Sequence, residues 1–501
     1  MEKLVKSSLP CQGYSWPVLV IAFAILTCGS MAEVQGDDAA DRDPPPAVAS
    51  ANSANLAARR RIVASAQRPV TYPARRVSAD APMGGAASGP ADAEVLPPAR
   101  TAPRPMNSAM PDYSQGDLYY DEPDSAHWFD DNYWGGGGGG LLSGFWVRPE
   151  FVYWAIRGNP VPPLVTTSPV GTSQTVAGRL DQPTTTILYG NNDLANGGRP
   201  GGQIRFGYWL DDQQRNGIDV SYMALSSRSS TFSASTADHA ILARPFYNVE
   251  PGFVGQDAEF VSYPGLLQGG IQVNSSTSFQ TIEVLYRHCV MRDCCDSLDV
   301  LIGWRNIRLT DKLLISDSKT SLATGSGIAV GTSISESDQF NTRNVFNGME
   351  LGLIREKNVG CWTFDMIAKI AFGVTNVQSA ISGQTTVSVP VPGAAPDVSV
   401  TPAGLLAQKT NIGNHEFDIF SVVPQAGLVA GYNITDNLRA TLGYTFMYWT
   451  SAARSGSQID PQLNLSQLTP GGLNGPAHPA YTGTTTGVWA QGLNVGLNYQ
   501  F

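Results

Sequence analysis

The chain has 501 residues, of which 42% are apolar, 15% charged and 9% aromatic, with 52 glycines and a formal net charge of -10. No stretch after residue 30 approaches the roughly 20 continuous apolar residues that a membrane helix needs, so a helical membrane protein is excluded. The acidic balance leaves no clustered basic field for a phosphate backbone, which argues against a nucleic-acid partner.

At the start, Lys3 and Lys6 precede an apolar core from Trp16 to Leu26, followed by the small-x-small pattern Ser30-Met31-Ala32. This predicts an export signal over residues 1–32, cut near Ala32. A rival lipoprotein site at Ile25-Leu26-Thr27-Cys28 has in Thr27 a larger residue than such a site usually carries before its cysteine. Residues 33–140 form a second region, rich in Ala, Pro, Ser and Arg to about residue 110 and without apolar periodicity. Such a segment cannot bury enough surface to offset the entropy of ordering, so a disordered tether is expected. About 100 residues of coil span roughly 55 Å, a reach that suits contacts with periplasmic or cell-wall components. The tract from Asp112 to Trp134 is acidic and aromatic and runs into Gly135–Gly140. It reads as a solvated linker, with a docking segment as the alternative.

From residue 141 the hydropathy alternates with period two, the signature of a strand whose successive side chains face opposite ways. Ten segments show it: Ser143–Ile156, Gly201–Leu210, Gly217–Leu225, Ser276–His288, Ser297–Asn306, Asn344–Ile354, Cys361–Gly373, Phe417–Tyr432, Leu438–Trp449 and Gly487–Phe501. The seventh is the cleanest, with Trp362, Phe364, Met366, Ala368, Ile370 and Phe372 against Thr363, Asp365 and Lys369. Ten residues at about 3.3 Å each, tilted about 40°, cross roughly 25 Å, the height of the apolar band on outer-membrane barrels. Connections after even segments span about five to eight residues and those after odd segments about 35 to 50, measured between these segment ends. Short turns on one side and long loops on the other put both termini in the periplasm. The expected fold is all-β: an antiparallel transmembrane barrel of about ten strands over residues 141–501, or twelve if loop segments add strands. A soluble antiparallel sandwich would alternate too, but gives no reason for the short-long connections.

Several tracts resemble those of the bacterial family known as putative beta-barrel porin-7. They are Arg244-Pro245-Phe246-Tyr247-Asn248-Val249, Gly404-Leu405-Leu406-Ala407-Gln408 with Asn411-Ile412-Gly413, Gly443 to Trp449, Gln458-Ile459-Asp460, and Trp489 to the C-terminus. The resemblance covers roughly residues 141–501, implies an outer-membrane barrel, and carries over no catalytic or ligand residue.

If the apolar face meets lipid, the interior receives Arg148, Glu150, Arg205, Asp219, Glu283, Arg287, Asp299, Arg305, Glu350, Asp365, Lys369 and Arg439, a balanced set of acids and bases. About eight strands leave room for little beyond side chains whereas open porins use 16 to 18, so a ten-stranded lumen is narrow. Passive diffusion of small solutes and a structural barrel with long surface loops both remain open, as does a non-conducting adhesion barrel; a barrel hydrolase is the more remote reading. His239, His415 and His478 with Asp238 and Asp418 are the only raw material for catalysis and have no recognised spacing, so no enzyme, cofactor or metal site is expected. In an exported chain Cys289, Cys294, Cys295 and Cys361, all near the short-turn rim, predict at least one disulfide. Trp146, Trp154, Trp209, Trp304, Trp362 and Trp449 are read as interfacial girdles. Tyr499 and the terminal Phe501 are read as the signal for the barrel-assembly machinery, with outer-membrane lipid as the other partner.

Overall fold

Where two chemically different faces alternate residue by residue, a strand is the element that keeps them apart, and each of the ten segments lies on one. The computed structural model describes residues 144–323, 328–469 and 472–501. The expected signal peptide, tether and acidic-aromatic linker lie outside the described residues.

The strands are β1 (Phe145–Ile156), β2 (Gly197–Trp209), β3 (Asn216–Ser235), β4 (Leu267–Arg292), β5 (Asp296–Ser321), β6 (Ser333–Val359), β7 (Trp362–Val389), β8 (Gly413–Asn433), β9 (Leu438–Ala453) and β10 (Thr485–Gln500). Each pairs antiparallel with the next in chain order, and β10 returns to β1 through Tyr499↔Val147 and Val495↔Phe151. The ring is thereby closed and no strand of it is left as an edge. At the seam, Phe501 donates its backbone N–H to the Phe145 carbonyl at 3.0 Å and the two rings lie 5.6 Å apart. Among the described residues the ring holds ten strands; the short strand Asp397–Thr401 pairs with β7 outside it.

One expectation needs correction. β4, β5, β6 and β7 contain 26, 26, 27 and 28 residues, far more than a membrane crossing requires. The connections after the fifth and seventh strands are therefore residues 322–332 and 390–412, shorter than the 35 to 50 expected. The ladder of hydrogen bonds continues past the point where lipid demands an apolar outer face. There the outward residues become Ser316 and Ser318 on β5 and Ser335, Ser337 and Gln339 on β6, so the hydropathy signal fades while the strand does not.

The long connections build a second, five-stranded sheet from Val165–Thr167, Thr186–Tyr189, Leu242–Asn248, Gly255–Ser262 and Gln462–Leu463. Its Val165, Leu242, Phe246, Val261 and Leu463 are buried in one cluster with Ile271, Val273, Leu313, Ile315, Phe340 and Ile381 of the ring. The loops therefore fold against the inner wall of the tall strands.

Candidate functional site: a stratified barrel interior

Successive inward residues of β5 give an axial section through the barrel. Asp299, Leu301, Arg305, Ile307, Leu309, Asp311, Leu313, Ile315, Asp317 and Lys319 are all buried, while Val300, Ile302 and Trp304 between them are 38%, 46% and 42% exposed. The apolar outer face continues around the ring through residues such as Phe151, Tyr153, Met366, Phe420 and Val495. Protein leaves more than a third of each such side chain uncovered, and its remaining burial has to come from lipid.

The twelve charged residues named above lie on the side of their strands opposite the exposed apolar residues, in two groups. The first surrounds a cavity of about 320 Å³ at the short-turn end, lined by Arg148, Arg205, Asp219, Arg287, Asp365 and Arg439 among others. Here Arg148 meets Glu150 at 3.3 Å, Arg205 meets Asp219 at 3.5 Å, Arg287 pairs with Asp299, and Arg439 reaches Glu356 at 3.4 Å. The Arg287 guanidinium also lies 5.0 Å from the centre of the Trp209 ring. The second group is a tight cluster one level further in. Arg305 bridges Glu283 at 3.1 Å and Glu350 at 2.8 Å, and Lys369 holds the other oxygen of Glu283 at 2.6 Å. The void beside it measures about 30 Å³, enough for a water or two and for no solute. Each charge buried there has an opposite partner, as removal from water requires.

Beyond this cluster the interior is mainly apolar. Val152, Trp154, Ile156, Met223, Leu225, Phe279, Ile307, Leu309, Phe346, Ala371, Val423, Met447 and Trp449 form one buried cluster. The two indole N–H groups are satisfied inside it, Trp154 donating to Asn494 Oδ1 at 2.7 Å and Trp449 to Thr375 Oγ1 at 3.0 Å. This corrects the girdle assignment: Trp154 and Trp449 face inward, Trp146 and Trp209 line the vestibule, and Trp304 and Trp362 are on the outer face. Residue parity decides it, since Trp146 and Trp154 share the face of Arg148, and Trp209 that of Arg205.

Above the apolar layer the loops are fastened to the wall by ion pairs that sequence reasoning missed. Arg454 of the β9–β10 connection pairs with Asp311 of β5 and donates to the Arg157 and Gly158 carbonyls at 2.8 and 2.9 Å. Arg244, on the second sheet, spans Asp317 of β5 at 2.9 Å and Asp338 of β6. Burial alone would push its guanidinium down, but the two carboxylates carry it above its ordinary value. Asp338 Oδ1 also accepts the backbone N–H groups of Leu406 at 3.0 Å and Ala407 at 2.7 Å. Gly404 has to lack a side chain, because a Cβ there would stand 2.0 Å from that same oxygen. Lys319 meets Glu259 at 2.9 Å, Asp317 at 3.1 Å and Glu336 at 3.4 Å. Two of the resembling tracts, around Arg244 and around Leu406, thus converge on one carboxylate. Nearby on the second sheet, burial pushes the Asp257 carboxyl up to about 6, against the hydrogen bonds it accepts from Ala258 N at 2.8 Å and Asn248.

The remaining candidates stand apart. His478 Nδ1 lies 2.7 Å from Asp460, His415 stacks on Tyr481 at 3.8 Å, and Asp238 binds Ser235. Asp418 sits on the outer face of β8 beside Asn376. The expected disulfide among the four rim cysteines is not formed. Cys289, Cys294 and Cys295 are free thiols, so Cys361 bonds to none of them. Cys289 points into the wall toward the Met291 carbonyl, whereas Cys294 and Cys295 lie exposed in the β4–β5 turn. The Cys361 carbonyl accepts from Asn433, on the side of its own turn toward β8 and away from β5. Tyr499 and Phe501 are exposed on the outer face of the seam, their rings 4.8 Å apart.

No curated protein sequence matches the chain. Among solved structures it is similar to the outer membrane protease OmpT from Escherichia coli, at 9% identity and a TM-score of 0.34, over 71% of this chain and 97% of that one. A Pseudomonas aeruginosa FadL homologue matches at 9% identity and a TM-score of 0.20, covering 71% and 90%. The Ralstonia pickettii toluene transporter TbuX matches at 10% identity and 0.14, covering 72% and 90%. The model of the putative beta barrel porin-7 family, BBP7, matches residues 146–501, which are the ring and its loops, and the chain belongs to that family.

Proposed function

We propose that the chain is a non-conducting outer-membrane barrel that holds a rigid, loop-built platform at the cell surface. The observation that carries this reading is the apolar layer across the interior, in which Val152, Ile156, Ile307, Leu309, Phe346, Ala371, Val423 and Trp449 are at most 1% exposed. A hydrated ion crossing that layer would shed its water among apolar side chains and a few polar ones, Thr375, Ser421 and Asn344, that are already hydrogen-bonded within the wall, at a cost of many kcal/mol. The long connections, which would face outward, are pinned by Arg244, Lys319 and Arg454 and so form a fixed surface, suited to binding a partner without catalysis. In this reading the chain is exported, the short turns and both ends face the periplasm, and Tyr499 and Phe501 serve recognition by the assembly machinery. The segment before the ring would then reach toward periplasmic or cell-wall components.

The test is bilayer recording of the detergent-purified protein, with heat-modifiable gel migration to verify the folded barrel. The expected result is a heat-modifiable band and no current steps above baseline. Reproducible single-channel steps from the heat-modifiable species would overturn the closed-barrel reading in favour of passive diffusion.

A further inference from the structure

The outer face of β5 changes character in a few residues. Val300, Ile302 and Trp304 are exposed apolar residues, Asn306 follows, and then Arg308 and Lys312 point outward and are exposed. On β6 the outward run Leu353, Leu351, Met349 gives way through Asn347 and Val345 to exposed Arg343. Arg343 stands opposite Thr310, midway between Arg308 and Lys312, so the three cations form a triangle on the outer wall. From Arg308 to Lys312 is about 13 Å along the strand, and Arg343 is one strand spacing, about 4.8 Å, to the side.

Their neighbours on that face are uncharged. In register with Arg308 and Lys312 on β4 are Gln280 and Ser276, and opposite Arg343 on β7 is Gln378. Glu416 and Asp418 of β8 lie two strands beyond β6 and are engaged by Asn376 and Gln378. A cluster of like charges without counter-charge is unfavourable in isolation and calls for an anion. Its height identifies which one. Arg308 lies four residues past Trp304, about 10 Å along the barrel axis at a 40° tilt, which is the depth of the headgroups just outside the hydrocarbon.

We propose that Arg308, Lys312 and Arg343 form a binding site for the phosphate groups of an anionic lipid in the outer leaflet. The span of the triangle, about 13 Å between its outer Cα positions, has room for a headgroup bearing two phosphates, as on a bis-phosphorylated glycolipid. The inference rests on the membrane-barrel reading above. Cations at a membrane surface gain about 1 kcal/mol each from anionic lipid, so three supply about a 100-fold preference.

The test compares the full chain with a triple variant, Arg308→Gln with Lys312→Gln and Arg343→Gln, and with Lys357→Gln at the opposite end as control. Each is reconstituted in phosphatidylcholine nanodiscs with 10 mol% bis-phosphorylated glycolipid or phosphatidylglycerol, and bound lipid is counted by native mass spectrometry after detergent extraction. The expected result is retention of the bis-phosphorylated lipid by the parent chain and the control, with about a 100-fold loss in the triple variant. Equal retention by all three, or displacement by millimolar inorganic phosphate, would overturn the lipid site while leaving the barrel reading intact. Failure of the parent chain to enter any nanodisc would overturn the barrel reading itself, and the lipid site with it.

Discussion

Asp338→Ala is the sharpest probe of how the surface loops are held. The carboxylate serves three donors at once: the Arg244 guanidinium on one oxygen, and the Leu406 and Ala407 amides on the other. Breaking a buried pair while leaving its partner in place costs about 3 to 5 kcal/mol, and each orphaned amide costs about 1 to 3 kcal/mol. Arg244 retains Asp317 at 2.9 Å, which returns part of that, so the net loss is about 4 kcal/mol. The ring itself should persist, because every strand keeps both neighbours. The effect therefore falls on local opening of the 403–412 loop, whose amide protection should drop about 1,000-fold. Hydrogen exchange of the detergent-folded protein, read at Leu406 and Ala407, measures this directly. Asp338→Asn, which keeps an acceptor without the charge, should lie between the two. Protection within about threefold of the parent in both variants, with heat-modifiable migration preserved, would refute the latch.

Two further outcomes are expected. Asp257 has a carboxyl raised from the ordinary value of 3.8 to about 6 by burial, so its favourable contribution is complete below pH 4 and is lost as pH rises through 6. The loss is at most about 3 kcal/mol; Asp257→Asn should therefore raise exchange protection of Gly255–Ser262 at pH 8 and change it little at pH 4, and an identical pH profile in both proteins would count against the assignment. Ala368→Arg places a cation in the middle of the apolar Trp362–Val374 run on the outer face of β7. It should cost about 2 to 4 kcal/mol of folding stability in lipid, measured by urea unfolding in vesicles, whereas no cost would mean that this face does not meet hydrocarbon.

The ring was legible in the sequence because the alternation is nearly regular over its ten segments: Met366 is outside and apolar, Lys369 is inside with Glu283, and a polar outward residue such as Gln491 is the exception, held by the Tyr444 hydroxyl. The upper wall was not, since Ser316, Ser318, Ser335 and Ser337 have water outside them and nothing requires an apolar face there. The latches were present in the parity all along. Counting by twos from Arg305 reaches Asp311, Asp317 and Lys319, and from Glu350 it reaches Asp338 and Glu336, but without an oily opposite face the frame could not be extended with reason. The same counting places Trp154 and Trp449 inside, where residue type alone suggested the interface. The second sheet could not be read locally, because Val165, Leu242, Val261 and Leu463 come from three different connections and meet only after the ring has closed.

β4 to β7 have roughly twice the length of β1, with 12 residues, and well over that of β9 and β10, with 16 each. The wall is thus bevelled, high on one flank and low on the other. Connections rooted on the low flank lean across the opening and come to rest against the high one, so each has a back pressed to a stiff support and a front turned toward open water. A change on the front of such a loop alters what a visiting molecule meets; a change on its back decides whether the loop stays in place to be met.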